Sequence, residues 1–143
     1  MLGKLAKWLR LLGYDTVFSP DLGDVDIARR ALREGRIVLT RDRGLAARKA
    51  VKRCLFIESH DYLQQLKQVI KEIGLKPSTE RVFSYCLVCN RPVAEIAKED
   101  VRELVPPYVL QTNEFFAQCP ECHRVYWPGT HLKNTLEKLK EIL

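Results

Sequence analysis

Two cysteine pairs, Cys86-x-x-Cys89 and Cys119-x-x-Cys122, stand 29 residues apart. Four thiolates at two such turns can take the corners of a tetrahedron, the arrangement of a structural zinc site. A zinc ion held by four sulfurs has no open position for water, so it folds the chain and does no chemistry. Two disulfides would leave the fifth cysteine, Cys54, unpaired. A thioredoxin-like redox site needs one such pair opening a helix, not two matched pairs. His123 directly follows Cys122 and could compete as a ligand, but four sulfurs already fill the site.

The acids form a second group. Asp42 sits in Leu39-Thr40-Arg41-Asp42-Arg43, just past the apolar run Ile37-Val38-Leu39. A carboxylate at the carboxyl end of a buried strand can ligate a hard cation such as magnesium or manganese. Arg41 and Arg43 beside it can hold phosphates. The same carboxylate can equally pair with those arginines or cap a helix starting at Gly44. Asp24 and Asp26 open the preceding helix, where capping and the helix dipole account for them. Brought next to Asp42, they would suit metal-assisted phosphodiester hydrolysis. Asp61 is a further acid, read more simply as a helix cap, and His131 is expected to pack against or cap the last helix. No glycine-rich phosphate loop and no Ser/His/Asp or Cys/His nucleophile pattern occurs.

These groups need elements to position them. Leu2, Leu5, Ala6, Leu9 and Leu12 recur at helical spacing and predict a helix over 2–12, ended by Gly13. Tyr14–Phe18 reads as a short strand. Asp24 is expected to cap a helix that stops at Gly35. Arg36–Thr40 and Cys54–Ile57 read as buried strands, with a helix over Gly44–Val51 between them. Asp61 is expected to cap a helix closed by Gly74. Strands alternating with helices predict a parallel sheet with helices on both faces. The pattern stops near Lys76-Pro77-Ser78, dividing an α/β domain (1–76) from a zinc ribbon with a C-terminal helix (77–143). In the second part the expectation is a short helix near Lys98–Leu104, a break at Pro106-Pro107, aromatic strands beside the second knuckle, and a helix over Thr130–Leu143.

Charge separates the two parts. The chain of 143 residues carries +6; residues 1–85 account for +7 and residues 86–143 for −1. Ten basic residues against Glu34 and Asp42 crowd positions 29–53. Such a field captures polyanions, of which nucleic acid is the foremost, though a solvated basic surface looks the same in sequence. No apolar run approaches the roughly 20 residues needed to span a bilayer, so no membrane role is expected. Lys4, Lys7 and Arg10 lie on the basic face of the first helix and, with Arg41 and Arg43, are the residues assigned to an RNA backbone. With no signal-peptide-like apolar stretch among the first residues, a reducing cytoplasm is the expected setting.

Three segments together carry a family likeness: Met1–Thr16, Arg36–Leu45, and Tyr126-Trp127-Pro128-Gly129-Thr130-His131 after the second knuckle. The chain resembles, along nearly its whole length, the carboxy-terminal ribonuclease domain of the Mut-seven type, a PIN-like domain joined to a zinc ribbon. The resemblance implies a PIN-like α/β nuclease acting on RNA, with Asp42 and Asp24 holding magnesium or manganese and the four cysteines holding zinc. Members of that family carry a short interior strand, ending near an acid, ahead of the Met-Leu-Gly motif. The sequence starts at that methionine, so the expectation is a PIN-like sheet whose first strand and acid are missing. Two other readings stay open: an RNA-binding module without catalysis, and a zinc-stabilised protein-interaction domain.

Overall fold

Leucines at helical spacing with lysines between them form α1, Gly3–Leu11. Leu5, Ala6, Trp8 and Leu9 are buried, while Lys4 and Lys7 stay exposed, as a one-sided helix requires. The computed structural model describes residues 2–47, 53–78 and 81–142. The chain divides into one unit of Met1–Leu5 with Phe18–Leu75, and another of Ala6–Val17 with Lys76–Leu143.

In the first unit, α2 spans Asp24–Glu34, and its N-cap is Gly23, with no side-chain cap bond. Asp24 was the expected cap; it lies one residue inside the helix, in the first turn with Asp26, where both meet the positive end of the dipole. Gly35 closes α2 with φ 65°, a left-handed backbone that glycine adopts without steric cost. Strands β1, Val38–Thr40, and β2, Cys54–Phe56, pair in parallel, Val38 beside Cys54 and Thr40 beside Phe56. Each is shorter than the strand expected there, and β2 is half-buried where a fully buried strand was expected. Between them lies α3, Arg43–Ala46; the rest of the helix expected over Gly44–Val51 falls largely outside the described residues. Helix α4, Tyr62–Ile73, starts at the Asp61 cap, ends at Gly74, and buries Gln65, Leu66, Val69 and Ile70.

In the second unit, no strand forms over Tyr14–Val17, and none at Phe18 beyond it, so the strand expected over Tyr14–Phe18 is absent. The Thr16 N–H goes to the Asn90 side chain at 2.9 Å, so strand propensity finds no ladder to join. Strands β3 (Ala94–Glu95), β4 (Ala117–Gln118) and β5 (Val125–Tyr126) form an antiparallel sheet in that order. A 3-10 helix, Lys98–Val101, and α5, Pro107–Thr112, cover a core of Val101, Val105, Val109 and Phe116. The prolines mark the expected break and also start the next element: Pro106 is the N-cap and Pro107 the first residue of α5, where a missing N–H costs nothing. Helix α6, Thr130–Ile142, closes the chain and buries Leu132 and Leu139. Among the described residues no helix is long and apolar enough to cross a membrane.

Candidate metal centre and acidic edge

The two cysteine pairs are built alike. In the first, the Cys86 N–H donates to the Arg91 carbonyl at 2.8 Å, and the Asn90 N–H donates to the Cys86 carbonyl at 3.0 Å. In the second, the Cys119 N–H donates to the Arg124 carbonyl at 3.0 Å, and the His123 N–H to the Cys119 carbonyl at 2.9 Å. Asn90 and His123 both take left-handed backbone, at φ 54° and 64°. Each turn therefore reverses the chain right after its second cysteine and aims both sulfurs the same way.

All four Sγ atoms lie within 4.8 Å of one another, with Cys86 and Cys119 fully buried. The Cys86 and Cys122 sulfurs are 3.6 Å apart. A tetrahedral zinc site with bonds of about 2.3 Å has sulfur–sulfur edges of about 3.8 Å, so the donor set fits that metal in number, chemistry and spacing. The thiols differ strongly in acidity. The backbone N–H of Arg124 holds Cys122 down at about 6, whereas burial and then the neighbouring thiols push Cys89 up to about 12. Crowded thiols cannot ionise together unless a cation joins them, so the cluster invites a divalent ion. The expected competitor His123 is exposed and outside the cluster.

Other groups brace the cluster. The Tyr126 hydroxyl is 3.0 Å from Cys86 Sγ and accepts the Leu87 N–H at 3.2 Å. Burial, then the Cys86 contact, pushes the pKa of that phenol well above its ordinary value, keeping its proton in place. Phe83 stacks on Tyr126 with ring centroids 5.8 Å apart. Arg91, after the first pair, forms an ion pair with Glu121, inside the second. In the sequence Tyr126 stood among the aromatic residues beside the second knuckle. Its hydroxyl contact was visible only as a phenol placed shortly after the second pair.

The acids are placed differently. Asp42 is exposed at the carboxyl end of β1, and its Oδ1 accepts the N–H groups of Gly44 at 2.7 Å and Leu45 at 3.3 Å. It is thus the N-cap of α3. Among the described residues its second oxygen has no partner. Asp61 is likewise a cap, accepting the Gln64 N–H at 3.2 Å. Apart from the cysteines, the described residues contain no group of three or more acidic, histidine or cysteine ligands converging on a point. Asp42, Asp24 and Asp26 therefore do not close into a three-carboxylate set.

The basic residues divide into committed and displayed ones. Arg41 donates to the Ile57 carbonyl at 2.9 Å and the Ser59 carbonyl at 2.8 Å, and lies 3.1 Å from His60 Nε2. It holds the segment after β2 rather than projecting to solvent. Arg10 was expected to face RNA; it is only 7% exposed and donates to the carbonyls of Thr16, Leu87 and Val88. Arg43 lies 4.5 Å over the Phe56 ring and Lys4 lies 4.0 Å over the Tyr62 ring, both exposed. Lys7 is exposed as well.

A small parallel α/β unit with an acid past its first strand, together with a four-cysteine antiparallel ribbon, defines a mixed α/β protein whose cysteine cluster could hold a metal. The chain belongs to the Mut7-C RNAse domain family, whose model matches residues 1–139. It is 37% identical over 98 residues to the exonuclease mut-7 homolog of Homo sapiens, a match covering 63% of this chain and 11% of that protein. The chain thus corresponds to a small part of the human relative. No solved structure matches.

Proposed function

We propose that this chain is a PIN-like ribonuclease that hydrolyses RNA phosphodiester bonds at the carboxyl edge of the β1–β2 sheet, with zinc held by Cys86, Cys89, Cys119 and Cys122. The match to an RNase domain family over residues 1–139 carries the reading. The placement of Asp42 supports it. One carboxylate oxygen is spent on the α3 cap, which fixes the side chain, and the other, on an exposed residue at the end of a strand, has no partner among the described residues. An acid so held can orient a water or share a cation with a phosphate. Arg43, Lys4 and Lys7 are the cations displayed for the RNA backbone.

The magnesium or manganese ion expected at Asp42 and Asp24, with Asp26 as the alternate, would draw its remaining oxygen ligands from water and RNA phosphates. No step is routed through that ion. A reducing, cytoplasmic setting belongs to the same reading, because metal-binding cysteines must remain thiolates.

Purified protein incubated with labelled single-stranded RNA, with and without added manganese, tests the reading beside Asp42→Asn. Cleavage by the natural chain and its loss in the folded variant are expected. Equal cleavage by both removes Asp42 from the mechanism. That no three acids converge among the described residues favours one second reading, an RNA-binding module without catalysis. It predicts RNA binding without added magnesium or manganese, weakening steeply with salt, and no cleavage.

A further inference from the structure

A metal ion with charge +2 bound by four thiolates carries a net charge of −2, and burying that charge needs compensation nearby. Cys86 and Cys119 are fully buried, so water cannot supply all of it. The structure brings in a cation from far away in sequence. Arg10, on α1, is 7% exposed, and its Nη1 lies 2.6 Å from the Leu87 carbonyl and 3.4 Å from the Val88 carbonyl. Leu87 and Val88 are the two residues between Cys86 and Cys89. The Arg10 Nε donates to the Thr16 carbonyl at 2.8 Å. The same segment is clamped again by Asn90, which accepts the Thr16 N–H at 2.9 Å and donates to Asp15 Oδ1 at 2.7 Å.

We propose that Arg10 is an outer-sphere positioning residue of the metal centre. Its guanidinium fixes the first cysteine turn and offsets the negative charge of the metal–thiolate cluster, so that metal binding and the docking of residues 10–17 are one linked equilibrium. Tyr126 plays the complementary part at the sulfur itself. Against a thiolate its hydroxyl must be the donor, and it is 3.0 Å from Cys86 Sγ. A hydrogen bond to a ligating sulfur draws electron density from the metal–sulfur bond and holds the ligand in place. Linkage is reciprocal: if Arg10 strengthens the hold on the metal, the metal strengthens the burial of Arg10 by the same factor. Without the ion, the buried guanidinium loses the charge that balances it, and the Asp15–Thr16 segment should loosen.

This inference rests on the metal reading of the cysteines, which the metal content of the purified chain tests separately. A chain that retains no zinc and shows all five of its thiols titratable overturns that reading. For the zinc-loaded chain, the test is the rate at which a chromogenic chelator takes the zinc from the natural protein, Arg10→Met, Arg10→Lys and Tyr126→Phe. Release at least tenfold faster is expected for Arg10→Met, with partial rescue in Arg10→Lys. In the cobalt-substituted protein, Tyr126→Phe should shift the sulfur-to-cobalt charge-transfer band, which a purely structural loss would leave in place. Unchanged release in a folded Arg10→Met protein overturns the proposal. If that variant does not fold, hydrogen exchange of the natural chain decides. The Thr16 amide should lose protection when zinc is withdrawn, and equal protection with and without zinc overturns the linkage.

Discussion

Asn90 and His123 occupy the same place in two copies of one turn: each directly follows a second cysteine, and each has left-handed backbone. Their side chains do different things. Asn90 bonds Asp15 and Thr16, whereas His123 is exposed. A non-glycine residue held left-handed costs roughly 1 kcal/mol. His123→Gly should therefore keep its full metal content and change stability by less than about 1 kcal/mol. Asn90→Gly gains the same backbone relief but gives up two hydrogen bonds of roughly 1 kcal/mol each, and should be the less stable variant. Thermal melts with metal analysis check both; loss of metal from His123→Gly would make the histidine a ligand.

Asp42 has two jobs that substitutions can separate. Asparagine keeps a side-chain oxygen for the Gly44 and Leu45 amides and removes the charge. Alanine removes both. Asp42→Ala should lose about 1 kcal/mol of stability, while Asp42→Asn should stay within a few tenths of the natural chain. Under the ribonuclease reading both lose cleavage. Urea titrations beside an RNA cleavage assay measure the two effects on the same preparations.

Gly13 sits at φ 95°, and a Cβ added there would come within 2.4 Å of the Arg81 carbonyl oxygen. The oxygen is backbone and cannot swing away. Gly13→Ala combines a disfavoured conformation with this clash and should cost at least roughly 2 kcal/mol. A denaturation midpoint equal to that of the natural chain would mean that residues 11–13 and 81–83 do not pack as described.

Glu34 accepts from Arg36 Nε at 2.9 Å and Arg30 Nε at 2.6 Å. The hydrogen bond from Arg36, then that from Arg30, holds its carboxyl at about 2, well below the ordinary value of 4.5. A lowered folded-state value stabilises the fold above the unfolded pKa. That contribution is present above about 4.5 and fades as pH falls toward about 2. A carbon-detected NMR titration should place the Glu34 midpoint near 2, and Arg36→Gln should move it upward. A natural midpoint near 4.5 would show that the arginines do not hold it.

Phe116 is fully buried among Val101, Val105 and Val109. Phe116→Ala should destabilise the ribbon by about 3–5 kcal/mol. The cost should appear in amide exchange over β3, β4 and β5 first. An unchanged exchange pattern in those strands would place the core elsewhere.

Much of this was legible because it depends on neighbours in sequence. The spacing of Cys86, Cys89, Cys119 and Cys122 predicts a shared metal site, since a two-residue turn geometry aims each pair. Helices α2 and α4 follow from apolar spacing and their closing glycines, Gly35 and Gly74, because helical hydrogen bonds are local. The α3 cap by Asp42 was one of the uses open to it, and the positions of Arg43 and Lys7 as displayed cations follow from the same local pattern.

Tertiary structure decided the rest. Nothing near Arg10 in sequence says that it turns inward, because its partners, the Leu87 and Val88 carbonyls, lie more than seventy residues away. Tyr14–Val17 has the residues of a strand but no ladder, since Thr16 spends its N–H on Asn90. Arg41 reads as a phosphate ligand until the Ile57 and Ser59 carbonyls arrive beside it. In each case the sequence determined which donor was present and how the local backbone ran. Only the folded chain decided which distant acceptor it met, because a hydrogen bond across that separation forms only when packing brings both groups together.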